Sequence, residues 1–196
     1  MAISLKKNDT INLTKEDGGT LTNVRMGLGW DAKTVTKKSL FGGSRQVAES
    51  IDLDASAILI GGGRIIETVY YGHLTSGDGS VRHTGDNLTG EGDGDDESIL
   101  VNLSRVPANV EHIVFVVNSF LGQTFDQVEN AFVRVVDSDQ GDTELASYSL
   151  SGGEACTAMV MAKVSRVGSG WTFTALGRPG SGRVAHEVAN LALSSI

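Results

Sequence analysis

Residues 51–71 read IDLDASAILIGGGRIIETVYY. Ile51, Leu53, Ala55, Ala57 and Leu59 recur at every second position, the period of a β-strand with one face buried. Asp52, Asp54 and Ser56 begin the other face, and Ile58 and Ile60 continue it. Gly61-Gly62-Gly63 then closes a hairpin into a second β-rich run, Arg64 to Tyr71. No Gly-Lys-Ser/Thr follows the glycines, so this is a turn and not a phosphate loop. Two carboxylates next to apolar residues on one strand face form an unusual pattern. A solvent-exposed strand start is the plain alternative, since Asp is commonly exposed.

Moving outward, the same rhythm recurs. Ile3 to Leu5 and Thr10 to Leu13 are short β-like pieces. Val24, Met26, Leu28 and Trp30 alternate with Asn23, Arg25, Gly27 and Gly29, and Asp31 stands at that strand's exit. Ser98 to Leu103, His112 to Val117, Ala131 to Val136, Leu145 to Leu150, Thr157 to Val167 and Trp171 to Leu176 follow at spacings of about ten residues, the signature of a sandwich or barrel. The run from His112 is nearly all apolar and β-branched, which predicts a central strand covered on both faces. Thr124 to Val128 reads as a short helical turn, and Asp137 to Asp142 as a hairpin turn rather than a calcium loop, because its Gly is misplaced for an EF-hand. Val184, Val188 and Leu191 recur at helical spacing. The expected fold is therefore all-β: an antiparallel β-sandwich of two sheets with a short C-terminal helix, one domain over 1–196. Lys33 to Arg45 reads as a basic loop.

The 196 residues are 40% hydrophobic and 20% charged, with 25 Gly, 2 Pro and a net charge of −8. Such a balance argues against a broad nucleic-acid surface, which would be basic. The one cysteine, Cys156, reads as a buried inert thiol. No secretory signal or apolar run long enough to span a membrane is visible, so a cytoplasmic location is expected.

Much of the negative charge lies in Ser76 to Glu97, SGDGSVRHTGDNLTGEGDGDDE. Asp78, Asp86, Glu91, Asp93, Asp95, Asp96 and Glu97 are opposed only by Arg82. Two like charges 4–5 Å apart cost roughly 3–4 kcal/mol at an effective dielectric near 20. Either solvent relieves this repulsion, in an open acidic loop, or a bound cation does. Interspersed glycines let carbonyls turn inward, as an oxygen cage for a hard cation requires. The surplus of oxygen ligands favours calcium over magnesium, and the lack of paired His or Cys disfavours zinc. Asp31, Asp52 and Asp54 are candidates to converge on this loop. No Gly-x-Ser-x-Gly elbow is present, and 6% aromatic residues give little sign of a sugar platform.

Several of these segments resemble the TerD family of bacterial tellurium-resistance and stress-response proteins. The resemblance is carried by Gly27 to Asp31, Asp52 to Ser56, the long acidic motif His83 to Glu97, Phe125 to Arg134 and Thr157 to Met159. Lys37 to Gly42 is similar to the TerZ-type branch. The resemblance implies a calcium-binding β-sandwich with two ion sites, whose ligands come from Asp31, Asp52, Asp54, Asp78, Asp86, Asn87, Glu91, Asp93, Asp95, Asp96 and Glu97. It implies a calcium-dependent binding or scaffolding module, not an enzyme, with partners in a stress-response complex that can be membrane-associated. One Cys and no dinucleotide fingerprint argue against reduction of tellurite by the chain itself. The alternatives are a metal-dependent hydrolase acting on phosphorylated or nucleotide substrates, and a purely structural calcium module.

Overall fold

The structure is a computed structural model that describes residues 3–15, 18–31, 33–38, 44–49, 51–88, 94–149 and 155–196. Its strands are β1 (Ile3–Ser4), β2 (Thr10–Asn12), β3 (Asn23–Asp31), β4 (Lys33–Lys38), β5 (Ser44–Glu49), β6 (Leu53–Gly61), β7 (Arg64–Val69), β8 (Val81–His83), β9 (Glu97–Asn102), β10 (His112–Ser119), β11 (Glu129–Asp137), β12 (Thr143–Ser149), β13 (Ala158–Val167) and β14 (Gly170–Gly180). Among the described residues, one α-helix, α1 (Ala185–Leu193), follows β14, and one 3-10 turn spans Phe125–Gln127.

Two six-stranded sheets face each other. The first has the order β1-β12-β11-β3-β9-β8 and the second β2-β14-β13-β10-β6-β7. Pairing is antiparallel except at the edge, where the two residues of β1 run parallel to β12. Alternation explains the core: Leu28, Trp30, Leu53, Leu59, Ile99, Val101, Phe115 and Phe173 point inward and are buried together. The outer face of the second sheet is covered as well. There Ile58, Ile60, Val114, Val116 and Val160 pack against Val188, Ala189 and Ala192 of α1. Strand β10 is thus central and buried on both faces, as its unbroken apolar run requires.

Two readings change. The basic segment expected as a loop is a two-stranded ribbon, β4 paired with β5 from Lys33↔Glu49 to Lys38↔Ser44. Three consecutive β-branched residues (Thr34, Val35, Thr36) favour extended backbone over the loop that its charges suggested. The acidic stretch is also not one loop. It contains β8, which pairs with β9 through Val81↔Val101 and His83↔Ile99. The Asp137 to Asp142 turn does join β11 to β12. It is tied back by Asp139, whose Oδ2 accepts from the N–H groups of Thr22 and Asn23 at 2.9 and 3.2 Å. Cys156 is buried. No helix among the described residues is long and apolar enough to cross a membrane.

Candidate metal centre

The β6–β7 hairpin sets the site's frame. Gly62 and Gly63 both take positive φ, 58° and 67°, as a two-residue turn of this hand needs. β7 then pairs only with Ala57 to Gly61 of β6. The first residues of β6 run past it, and the acidic segment fills the edge. Glu97 Oε2 accepts the Ala55 N–H at 2.7 Å, and its Oε1 accepts the Asn87 N–H at 3.3 Å. His83 Nδ1 accepts the Gly85 N–H at 3.1 Å, which places the neutral ring's proton on Nε2. That nitrogen lies 3.3 Å from Glu97 Oε2 as a close charge contact, without hydrogen-bond alignment, and both side chains are fully buried.

This latch brings three carboxylates together. Asp52, Asp54 and Asp86 each offer an oxygen within 4.8 Å of the others. Asp52 and Asp54 are buried at 7% and 3% exposure, so the solvent-exposed strand start is excluded. Asp54 lies across from Asn118 in the β6–β10 register. Asn118 Nδ2 donates to Asp54 Oδ2 at 2.9 Å and to the Arg183 carbonyl at 2.8 Å. Burial pushes the Asp52 carboxyl up to about 6, and the negative charges of Asp86 and Glu97 add to it. Burial likewise pushes Asp54 up to about 7, with Glu97 and Asp52 adding and the Asn118 hydrogen bond opposing. Tyr71 is pushed up by burial and by the same three aspartates. Two buried oxygens, Asp52 Oδ1 and Asn118 Oδ1, have no hydrogen-bond partner. Unsatisfied buried oxygens beside crowded carboxylates form the all-oxygen donor set that a hard cation takes.

A second group adjoins it. Asp96 Oδ2 accepts the Trp30 N–H at 2.9 Å and Oδ1 accepts from Asn87 Nδ2 at 2.9 Å. Burial raises its pKa; the Trp30 bond opposes this, and Asp31, Asp95 and Glu97 add to the rise. Asp31, exposed at the end of β3, accepts from Asn130 Nδ2 at 2.6 Å. Trp30 Nε1 donates to the Ile51 carbonyl at 2.8 Å, which ties the exit of β3 to the entry of β6.

Not every candidate from the sequence joins these groups. Asp95 turns onto the outer face of the first sheet, where its carboxylate pairs with Arg25 and Arg134 and is 4% exposed. Arg134 is pushed up, first by that hydrogen bond. Asp78 shapes the turn before β8: its Oδ1 accepts from the Ser80 N–H at 2.6 Å and from Ser76 Oγ at 3.2 Å. Glu91 and Asp93 lie outside the described residues. Asn118 and Tyr71 were not among the sequence candidates. An Asn ending an otherwise apolar strand was the available signal for the first. A tyrosine closing the β7 run gave no comparable signal for the second.

Comparison with known proteins agrees with this architecture. A family model described as the TerD domain matches residues 1–190. The chain is 48% identical over 195 residues to tellurium resistance protein TerZ of Serratia marcescens, covering 99% of this chain and 98% of the relative. It is 41% identical over 189 residues to stress response protein SCP2 of Bacillus subtilis, covering 90% and 92%. A crystal structure of a telluride resistance protein (TerD) homologue from Streptomyces coelicolor shares the fold, with a TM-score of 0.69 at 24% identity over 86% of this chain and 95% of that one. The chain belongs to the TerD domain family.

Proposed function

We propose that this chain is a calcium-binding module that acts by binding or scaffolding partners in a bacterial stress-response or tellurium-resistance system, and that it is not an enzyme. The observation that carries the calcium reading is the grouping of Asp52, Asp54 and Asp86 within 4.8 Å, two of them buried. Three ionised carboxylates so close repel strongly in a partly dry site. A divalent cation converts that repulsion into attraction, and burial strengthens the gain. Asn118 Oδ1 is a fourth oxygen beside the group. Calcium fits an irregular, anionic, all-oxygen set better than magnesium, which holds its waters. A second ion is assigned to Asp31 and Asp96. Asn87 and Glu97 act as supports that shape both sites.

The biological setting rests on kinship with proteins named for tellurium resistance and stress response. The proposed partners are proteins of a stress-response complex in the cytoplasm, including membrane-associated ones, recruited by the surface that the filled loop forms.

Calorimetric titration of the chelator-treated protein tests the metal. Binding to the native state alone raises stability by about 2.7 kcal/mol when calcium is about 100 times its dissociation constant. Absence of heat, together with an unchanged melting temperature at millimolar calcium, refutes the reading. Pull-downs with and without chelator then separate a calcium-switched binder from a module whose calcium is constitutive.

A further inference from the structure

A cleft of about 370 Å³ opens on the outer face of the first sheet, at the end of β8 away from Asp86. Its floor is Leu100, which lies opposite Arg82 in the β8–β9 register. Among the described residues, Arg82 and Arg105 are the only charged ones lining it, in a chain whose net charge is −8. Arg82 is exposed and its guanidinium has no acidic partner among the described residues. Arg105 is held at the rim by donating from Nη2 to the Asp78 carbonyl at 3.2 Å.

The neutral wall carries the same polarity. Ser80 is 2% exposed and its Oγ has no partner; the Ser138 Oγ is likewise buried and unpartnered. Asn102 Oδ1 already accepts from Ser104 Oγ at 2.6 Å and from the Arg105 N–H at 3.1 Å. Its Nδ2 donors remain unused among the described residues. The two guanidinium groups and the unused Asn102 amide leave donors in this cleft in excess of acceptors, and a bound anion supplies them. Guanidinium groups bind phosphate and carboxylate through paired, charge-assisted hydrogen bonds. The volume is that of a small-molecule site, and the leucine floor suits a carbon skeleton.

We infer that this cleft binds a small organic anion, with Arg82 and Arg105 clamping its phosphate or carboxylate and the Asn102 amide donating to it. The site is separate from the carboxylate centre and needs no metal. Titrations monitored by amide NMR with ribose 5-phosphate, inorganic phosphate and citrate, in excess chelator, test it. Saturable shifts at Ser80, Arg82, Leu100 and Asn102 at millimolar ligand are the expected result. Saturation by the two phosphates but not citrate assigns a phosphate ligand, and saturation by citrate alone assigns a carboxylate. Arg82→Ala should weaken binding about tenfold or more, and added salt should weaken it too. Arg64→Ala, on the β6–β7 hairpin, is the control and should bind as the parent does. The inference is overturned if no probe saturates, or if Arg82→Ala binds as tightly as the unaltered protein.

Discussion

The Asp95 carboxylate rests directly on Gly27, in the space that a Cβ at that position would fill. The neighbouring glycine on that face, Gly29, is covered by the Phe132 ring and the Gly94 carbonyl. A side chain at Gly27 would lift the carboxylate off Arg25 and Arg134. Gly27→Ala should therefore destabilise the protein by about 2–4 kcal/mol, near the lower end for breaking a buried ion pair because the arginines are partly exposed. Denaturant unfolding measures it.

Asp95→Asn and Asp54→Asn should separate structure from metal binding. The first should lower the melting temperature and leave calcium affinity within a few-fold of the parent, because Asp95 is committed to two arginines. The second should weaken calcium binding about tenfold or more, and should not destabilise the metal-free protein at neutral pH. Calorimetry and thermal melts on the same samples read both quantities.

The buried aspartates predict a pH dependence of definite sign. Asp52 and Asp54 titrate near 6 and 7 in the folded chain, against the ordinary carboxyl value near 4 when unfolded. Between about pH 4 and 7 the native state therefore holds protons that the unfolded state has released, and stability falls as pH rises. The metal-free protein should lose stability across that window, and saturating calcium should restore it. Calcium binding at pH 6 should release protons, measurable as a buffer-dependent binding enthalpy. Asp139 works the other way. Its carboxyl lies near 2, because the hydrogen bonds from Asn23 and Thr22 outweigh its burial. The tie it makes should be lost as pH falls from about 4 to 2.

Asn118 is the uncharged oxygen donor beside the three aspartates. Asn118→Ala removes an orphan Oδ1 and the one hydrogen bond that holds the Asp54 carboxyl down. Asp54 should then titrate higher and calcium affinity at pH 7 should drop about tenfold. NMR titration of the Asp54 carboxyl in metal-free protein checks the first half independently of calcium.

Glu97 latches the acidic segment to β6, so Glu97→Ala should leave the Ala55 N–H unsatisfied. The cost is about 1–3 kcal/mol for a buried donor. Amide hydrogen exchange should speed up at Ala55 and Asn87 while the β10–β13 ladder stays protected. Uniform acceleration at all these sites would mean that Glu97 supports the whole fold and not this edge alone.

Much of the fold was legible because strands with one wet or separately covered face alternate. Val24 to Trp30 and Ile51 to Leu59 announce a buried face by a period of two, and the apolar run from His112 announces burial on both faces by lacking one. The basic ribbon β4–β5 was not legible, since Lys33, Lys37 and Lys38 suit a solvated loop and a hairpin equally. Among the candidate ligands, Asp52, Asp54 and Asp86 were named and do converge. Asp95 and Asp78 were named on the same grounds and do not join them. Composition counts carboxylates, but it carries no information on which sheet face each one reaches.

From its residues alone the chain declared an all-β architecture, a C-terminal helix, its TerD kinship and a concentration of hard oxygen ligands. The kinship rests on particular motifs, above all His83 to Glu97; the rest follows from local periodicity and composition, which survive in one dimension. The sorting of carboxylates waited for three dimensions. Asp54 meets Asn118 only because β6 and β10 are in register, and Asp95 meets its arginines only because Gly27 leaves room above β3. Such contacts join residues 64 and 70 positions apart, and their chemistry depends on burial and dielectric. Neither property exists before the two sheets close on each other.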